Sequence, residues 1–377
     1  MTRRWRTGIL GCGDIAPRYI RSLLCADSVE LVAAASRNPA SAARCAALFG
    51  GRAVAPEALL DAGLIEAVVI LAPPQEHADA IARAIARGIH VYCEKPFALG
   101  VATAQELDAL ARRRNVMLAA APATHLGPSL TRARQLVDDG SLGQIVGGAA
   151  SMVYPGPDLW HHNPDHLFAA GGGPLWDMGV YHLAALVFLL GPIQSVQAAG
   201  RAARPERIIR QGPRAGAAIP VEVPTHIAGL VHFTRGVTVS VTFSFDGFGS
   251  RAPGIELYGT AGAIALGQPN DFAAPLHLSR KVGDWAVVED DSGWTDAMWA
   301  IGVVEALDAW EHGRTPRTAP AFATHVIDAM AAIEGLCHDG IESVALIGTS
   351  CPQPEPVAGY DQFAWHSGSG QKAGTRP

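Results

Sequence analysis

Along the first 120 residues, short apolar runs alternate with segments of helical spacing. Thr7–Gly11 reads as a strand, Asp14–Cys25 as a helix, Val29–Ala35 as a second strand and Pro39–Phe49 as a second helix. The run AVVIL, Ala67–Leu71, is apolar throughout, as a strand covered on both faces must be. A helix over Gln75–Arg87, a strand at Ile89–Cys93, a helix over Ala102–Arg114 and a strand at Val116–Ala120 continue the alternation. Strands alternating with helices form βαβ units, so the pattern predicts a parallel sheet in an α/β domain.

The pattern then changes. A helix over Pro128–Asp138, stopped by Gly140, leads into segments whose apolar and polar residues alternate with period two. IVGGAASMVY, SVQAAGRA, THIAGLVHF, VTVSVTFSF, GIELYGTAGAIAL and HLSRKVGDWAVVE read as long antiparallel strands. Helices over Trp299–Trp310 and Phe322–Cys337 close this half, with Pro316 and Pro320 bracketing the loop between them. The expected organisation is an α/β domain over residues 1–122, an α+β domain over 123–350 and a mobile tail over 351–377, where apolar periodicity ends.

Composition narrows the class. The chain has 377 residues, 49% hydrophobic and 17% charged, so it can bury a sizeable core. The formal charge is −6 and no basic stripe occurs, which argues against a nucleic-acid partner. Six cysteines show no CxxC or zinc-like spacing, which fits reduced thiols in a cytoplasmic protein. No run of about 18 apolar residues is available to span a membrane. The opening MTRRWRTGILGCG is a polar leader into the first strand, too short in apolar length for a secretory signal.

The first strand ends in GCGDIA, Gly11–Ala16, which fits G-x-G-x-x-G/A. Gly11 permits the tight turn, Gly13 lets backbone approach a pyrophosphate, and Ala16 allows close helix–strand packing, with Asp14 and Ile15 at the helix N-terminus between them. Placed between a strand and a helix, this is a Rossmann dinucleotide-binding turn. An NAD-selective site carries an acid at the end of the second strand; here stand Ser36 and Arg37. Arg37 could pair with a 2′-phosphate, which leans toward NADP over NAD, or stack on the adenine, which would serve either. In LAPPQEH, Ala72 and Pro73 belong to the crevice by the switch-point rule, and His77 is a ribose contact or a structural first-turn residue.

The next strand ends in VYCEKPF. Glu94 and Lys95 therefore lie at the crevice, and Pro96 biases Lys95 toward an extended backbone or a cis bond. A lysine partly buried beside a cationic nicotinamide is expected to have a lowered pKa and to hold or relay a substrate hydroxyl's proton. Further on, GGGPLWDMGVYHL opens a helix from Leu175 to Leu190, stopped by Gly191 and Pro192. Residues four apart on a helix differ by about 40°, and five apart by about 140°. Asp177 and Tyr181 thus share a face while His182 points elsewhere. The glycines are expected to let this turn approach the cofactor domain. A nearby ammonium would lower the Tyr181 phenol from its usual value of about 10, so Lys95 and Tyr181 can share the base role while Asp177 fixes a neighbouring hydroxyl. WHHNPDH clusters His161, His162, Asp165 and His166 without a metal-specific spacing, so no metal is expected; Trp160 and His161 are read as facing substrate. Thr124 and His125 follow the last strand and are expected to touch substrate or the nicotinamide ribose.

With G-x-G-x-x-A, the EKP triplet and GGGxLxDxGxY in this order, the chain resembles the Gfo/Idh/MocA oxidoreductases, relatives of glucose–fructose oxidoreductase and inositol dehydrogenase. The resemblance runs from about residue 5 to about 350. It implies a Rossmann domain followed by a domain with a large, open, mostly antiparallel sheet. It also implies NAD(P)-dependent redox chemistry on sugars, cyclitols or related polyols, and homo-oligomers formed through the open sheet face. Lys95 and Asp177 take the places of the family's motif lysine and acid. Many members carry a histidine four residues after that acid; here Tyr181 stands there, as in the glucose–fructose oxidoreductase branch, and His182 is one residue late. Two other readings stand beside a sugar dehydrogenase or reductase. One is an enzyme that recycles a tightly held cofactor, a glycoside hydrolase or an oxidoreductase. The other is a non-catalytic cofactor sensor.

Overall fold

The computed structural model describes residues 3–61, 63–339, 344–360, 362, 363 and 365. The first domain contains β1 (Trp5–Leu10), α1 (Ala16–Leu23), β2 (Val29–Ala35), α2 (Pro39–Ala47), β3 (Arg52–Val54), α3 (Pro56–Leu59), β4 (Ala67–Ile70), α4 (Pro74–Ala86), β5 (His90–Cys93), α5 (Val101–Arg114) and β6 (Leu118–Ala120). Its six strands are all parallel, in the order β3-β2-β1-β4-β5-β6. The parallel α/β sheet read from the alternation is present. β3 and α3, three and four residues long, carry too few positions to show a period. Chain order reverses on either side of β1, so a crevice opens outside the C-terminal ends of β1 and β4. Every residue of β4 is buried, as its uninterrupted apolar run requires.

The second domain begins with α6 (Pro128–Asp138) and β7 (Ile145–Val153), then α7 (Val180–Leu190), β8 (Ile193–Arg201), β9 (Glu206–Ile208), β10 (Ala218–Pro220), β11 (His226–Phe233), β12 (Thr238–Ser244), β13 (Ile255–Gly259), β14 (Ala263–Leu266), β15 (Leu276–Lys281), β16 (Asp284–Val287), α8 (Ile301–Glu311), α9 (Pro320–Asp339) and β17 (Ala345–Leu346). Nine strands form one open sheet, β16-β15-β14-β13-β7-β12-β11-β8-β17, antiparallel at every pair except β7–β12. Alternate residues of its centre, such as Val231, Val239, Val241 and Phe243, are buried in a core that also takes in α7 and α9. The opposite face leaves Leu230, Tyr258, Trp285, Val287 and Leu346 partly or largely exposed. Among the described residues, no helix is long and apolar enough to cross a membrane.

Two features depart from the linear division of the chain. α8 returns to the first domain, where Ile301, Val304 and Leu307 share a core with Ile9, Ala34, Val69 and Tyr92. The expected tail is also anchored, as far as it is described: Val357, Tyr360 and Phe363 are buried in that same core, and the Tyr360 hydroxyl donates to Leu126 O at 2.6 Å. Three apolar side chains are enough to fasten a segment that has no regular structure of its own, and such isolated anchors leave no periodic signal in the sequence. Residues 361, 364 and 366–377 of that expected tail lie outside the described residues.

A buried charge cluster fixes the loop after β7. The Arg207 guanidinium on β9 bonds Asp158 Oδ1 at 2.7 Å and Asp246 Oδ1 at 2.8 Å, and also meets the carbonyls of Pro155 and Phe245. Its side chain is 2% exposed, against 6% for Asp158 and 13% for Asp246. Removing one member of such a group strands the others in low dielectric. Arg207→Ala is therefore expected to cost about 3–5 kcal/mol of stability, read by urea unfolding.

Candidate active site

The crevice floor is the turn after β1. Gly11 has φ +102°, and a Cβ there would stand 2.4 Å from Ala72 N, so no other residue fits. A Cβ on Gly13 would meet nothing within 4 Å. The turn thus presents bare backbone to open space at the start of α1, with Asp14 exposed and Ile15 and Ala16 entering the helix. That cradle fits the pyrophosphate of a dinucleotide. Ser36 and Arg37 lie at the end of β2, beside a groove of about 440 Å³ also lined by Pro39, Ala42 and Val54.

His77 does not reach the crevice. It is 1% exposed, with Nδ1 2.8 Å from Pro96 O and Nε2 2.7 Å from Ala72 O. Both ring nitrogens are turned to backbone carbonyls, so the ring ties the Ala72–Pro73 loop to the Lys95–Pro96 loop and is not a ribose contact. The Lys95–Pro96 bond is cis. Glu94 is likewise engaged within the protein: Oε1 accepts from the Tyr19 hydroxyl at 2.8 Å and Oε2 from the Lys95 amide at 2.8 Å.

Lys95 leaves the first domain and meets the second. Its Nζ donates to the Asp177 carbonyl at 2.6 Å and to Asp177 Oδ1 at 3.1 Å, and stands 5.2 Å from the centre of the Tyr181 ring. The lysine and aspartate side chains are 16% and 20% exposed, so the pair is half-sheltered yet reachable from the crevice. Asp177 does not sit on a plain α-helix. Leu175–Gly179 forms a wide π-type turn in which the Val180 amide reaches back to Leu175 O, and α7 proper starts at Val180. Single wide turns of this kind recur at functional sites. Here it still brings Asp177 and Tyr181 to one ammonium.

The electrostatics overturn two sequence expectations. Burial pulls the Lys95 ammonium down, but the Asp177 and Glu94 carboxylates and the Asp177 hydrogen bond oppose it, and the pKa is raised. The lowered lysine expected beside a cationic ring is not the state of the protein by itself. Tyr181 moves the other way from expectation: burial pushes the phenol up to about 12, although Lys95 pulls it down. Both groups hold their protons at neutral pH. His182 is fully buried, with Nδ1 3.1 Å from Met178 O, its ring on Phe243 and its pKa pushed down to about 4 by burial. It is a neutral core residue away from Lys95.

The glycine run serves a local purpose. Gly171 and Gly173 both have φ +81°, and a Cβ on Gly172 would lie 2.5 Å from His166 O. These residues let the chain turn tightly beneath the WHHNPDH loop, and Gly171 passes beside Leu99 of the first domain, where a Cβ would stand 3.5 Å from Leu99 Cδ2. That loop is held by Arg214, which grips Asp165 through two bonds of 2.6 and 2.8 Å. Its Trp160 is 55% exposed. Burial and His166 hold the His161 pKa down against the pull of Asp14 and Asp177, and its Nδ1 accepts from the Asn163 amide at 3.0 Å. Among the described residues, no group of three His, Cys, Asp or Glu side chains could hold a metal.

Thr124 and His125 are turned inward. Thr124 is 4% and His125 1% exposed, and the histidine ring packs against Phe188 and Phe322 with Nε2 3.2 Å from Arg317 O. The strand-end argument fails because the chain winds at once into a tight turn, Thr124–Leu126, that α7 and α9 close over. Two residues were missed. Tyr154, just past β7, packs edge-on against Phe245, and burial together with the Asp177 and Asp158 charges raises its pKa. Tyr19, one turn into α1, orients Glu94. The end of β7 was legible, but that β7 runs through the middle of the second sheet was not.

Comparison with known proteins agrees with this arrangement. Residues 5–121 match the model described as an oxidoreductase family with an NAD-binding Rossmann fold, and residues 130–265 match the GFO/IDH/MocA C-terminal domain. A dTDP-3,4-didehydro-2,6-dideoxy-alpha-D-glucose 3-reductase from Streptomyces antibioticus is 35% identical over 268 residues, covering 70% of this chain and 75% of the relative. An inositol 2-dehydrogenase from Rhizobium meliloti (strain 1021) is 26% identical, covering 74% and 79%. A 3-ketoreductase from Actinomadura kijaniata, solved with TDP-benzene and NADP, superposes with a TM-score of 0.71 at 25% identity, covering 88% of this chain and 98% of that one.

Lys95→Ala is expected to lower kcat about a hundred- to ten-thousand-fold while nucleotide binding persists, read by turnover and fluorescence titration. Tyr181→Phe should lower turnover in a fully folded protein, whereas His182→Leu should act on the melting temperature and leave kcat per folded molecule within about threefold. A dinucleotide cradle, a lysine–aspartate pair across two domains and family models matching both halves lead to one assignment: the chain belongs to the GFO/IDH/MocA family of NAD(P)-dependent oxidoreductases.

Proposed function

We propose that this protein reduces a keto group at carbon 3 of a hexose-type sugar ring, with NADPH or NADH as hydride source. The observation that carries this reading is the Lys95 ammonium held at the crevice, its Nζ 2.6 Å from the Asp177 carbonyl and 3.1 Å from Asp177 Oδ1, a carboxylate contact that favours the protonated lysine. A bound nicotinamide dinucleotide would supply the hydride. Lys95 would give its proton to the ketone oxygen as that oxygen becomes a hydroxyl, and then recover a proton from solvent. Asp177 keeps the ammonium aimed and offers its carboxylate to a neighbouring ring hydroxyl, which fixes the carbon that receives hydride. The Tyr181 phenol, protonated at neutral pH, is a second donor toward the same oxygen. The position on the ring is suggested by relatives: besides the Streptomyces 3-reductase, an Escherichia coli D-glucoside 3-dehydrogenase is 30% identical over 202 residues. His161 and the exposed Trp160 form the lip where the rest of the sugar would lie.

Self-association through the open sheet belongs to the same reading. Leu230, Tyr258, Trp285, Val287 and Leu346 lie on one face of the sheet by strand register, interspersed with polar residues such as Ser240 and Glu256. A reducing compartment such as the cytoplasm suits the six cysteines, all of them free.

The proton argument fixes the sign of the pH dependence. A raised lysine pKa keeps the donor loaded through neutral pH and loses it only as pH climbs through that raised value. Reduction of a 3-keto sugar should therefore be flat around neutrality and fall at strongly alkaline pH, while oxidation of the matching alcohol should climb with pH; kcat/KM profiles in both directions test this. Lys95→Arg keeps the charge but cannot give up its proton, so it should not restore either profile. Leu230→Glu should reduce the molar mass measured by light scattering without loss of the melting transition.

A further inference from the structure

Arg37 and Glu76 meet across the mouth of the cofactor crevice. Arg37 follows β2 by two residues, and Glu76 lies in the first turn of α4, the helix after β4. β1 runs between β2 and β4, and the three strands are parallel, so the pair closes over the C-terminal edge of β1, where the Gly11–Gly13 turn lies. Arg37 Nη2 is 2.8 Å from Glu76 Oε1. Arg37 and Ser36 also border a groove formed with Pro39, Ala42 and Val54. An acid in the first turn of a helix is favoured by the helix dipole, but that preference does not require an arginine from another strand to reach it.

We propose that Glu76 is a specificity-determining residue: its carboxylate occupies the arginine that a 2′-phosphate would need. This rests on the reading of Ser36 and Arg37 as the adenosine-end contacts. To hold NADP, Arg37 must leave Glu76, and the freed carboxylate then stands near a phosphate of the same sign. NAD has no 2′-phosphate to compete for Arg37 or to be repelled by the freed carboxylate. Glu76 therefore damps the NADP preference that Arg37 would otherwise confer, and leaves the protein able to use both. The side chains are 75% and 39% exposed, so the pair is screened by solvent and opens readily. Competition of this kind tunes a ratio and does not block either cofactor.

The test is direct fluorescence titration with NADPH and NADH, with no sugar present, on the native protein, Glu76→Gln, Arg37→Ala and the double variant. Glu76→Gln is expected to raise the NADPH-to-NADH affinity ratio about three- to tenfold, the scale of an exposed ion pair together with the relieved repulsion. Arg37→Ala should lower the ratio, and in that background Glu76→Gln should change it by about twofold or less. An unchanged ratio in Glu76→Gln overturns the proposal, including the case where both nucleotides weaken alike because α4 has loosened. An equal change with and without Arg37 also overturns it, since the carboxylate would then act without the arginine. If the native protein binds neither nucleotide, the functional reading itself fails; if it binds both and the ratio does not respond, only the role of Glu76 fails.

Discussion

The contact between Lys95 and Asp177 is the constraint around which the molecule is arranged. One partner hangs from the end of β5 in the parallel sheet, and the other from the wide turn that begins α7 in the second domain. An ammonium and a carboxylate that are both largely sheltered must stay together, because either alone would be left in low dielectric. The pair therefore links the two domains at the crevice. In the proposed reaction it also matters for the proton, since the same carboxylate that orients the ammonium favours its protonated form.

Around that contact the loops are braced by groups that touch no substrate. His77 sets its ring between the carbonyls of Ala72 and Pro96, 2.7 and 2.8 Å from its two nitrogens, so the loop after β4 and the loop that carries Lys95 are packed together. Glu94 spends its oxygens on Tyr19 and on the Lys95 amide. Arg207 pins the entry to the WHHNPDH loop and Arg214 clamps its middle. A proton donor must be held to within a fraction of an ångström of where the reacting oxygen will lie, and loops without regular structure reach that precision only through such braces.

The second domain completes the first as well as facing it. α8 and the segment around Tyr360 cover one side of the parallel sheet, and that sheet needs apolar cover on both faces. The crevice is thus bounded by elements drawn from both ends of the chain, and the division at residue 122 describes chain order better than it describes packing.

The sequence by itself determined the parallel sheet, the nucleotide turn and the three motifs, because period, glycine geometry and residue order are local properties. It placed Lys95, Asp177 and Tyr181 in one site through helix spacing and family resemblance. It could not decide where a side chain turns once neighbours compete for it. His77 and His125 were expected to face ligand and were taken by carbonyls and aromatic rings; the tail was expected to be loose and was anchored by three apolar side chains. Nor could it give the sign of a pKa shift, since burial and neighbouring charge oppose each other at both Lys95 and Tyr181. Which of them wins depends on distances between residues more than eighty positions apart, and only the tertiary structure sets those distances.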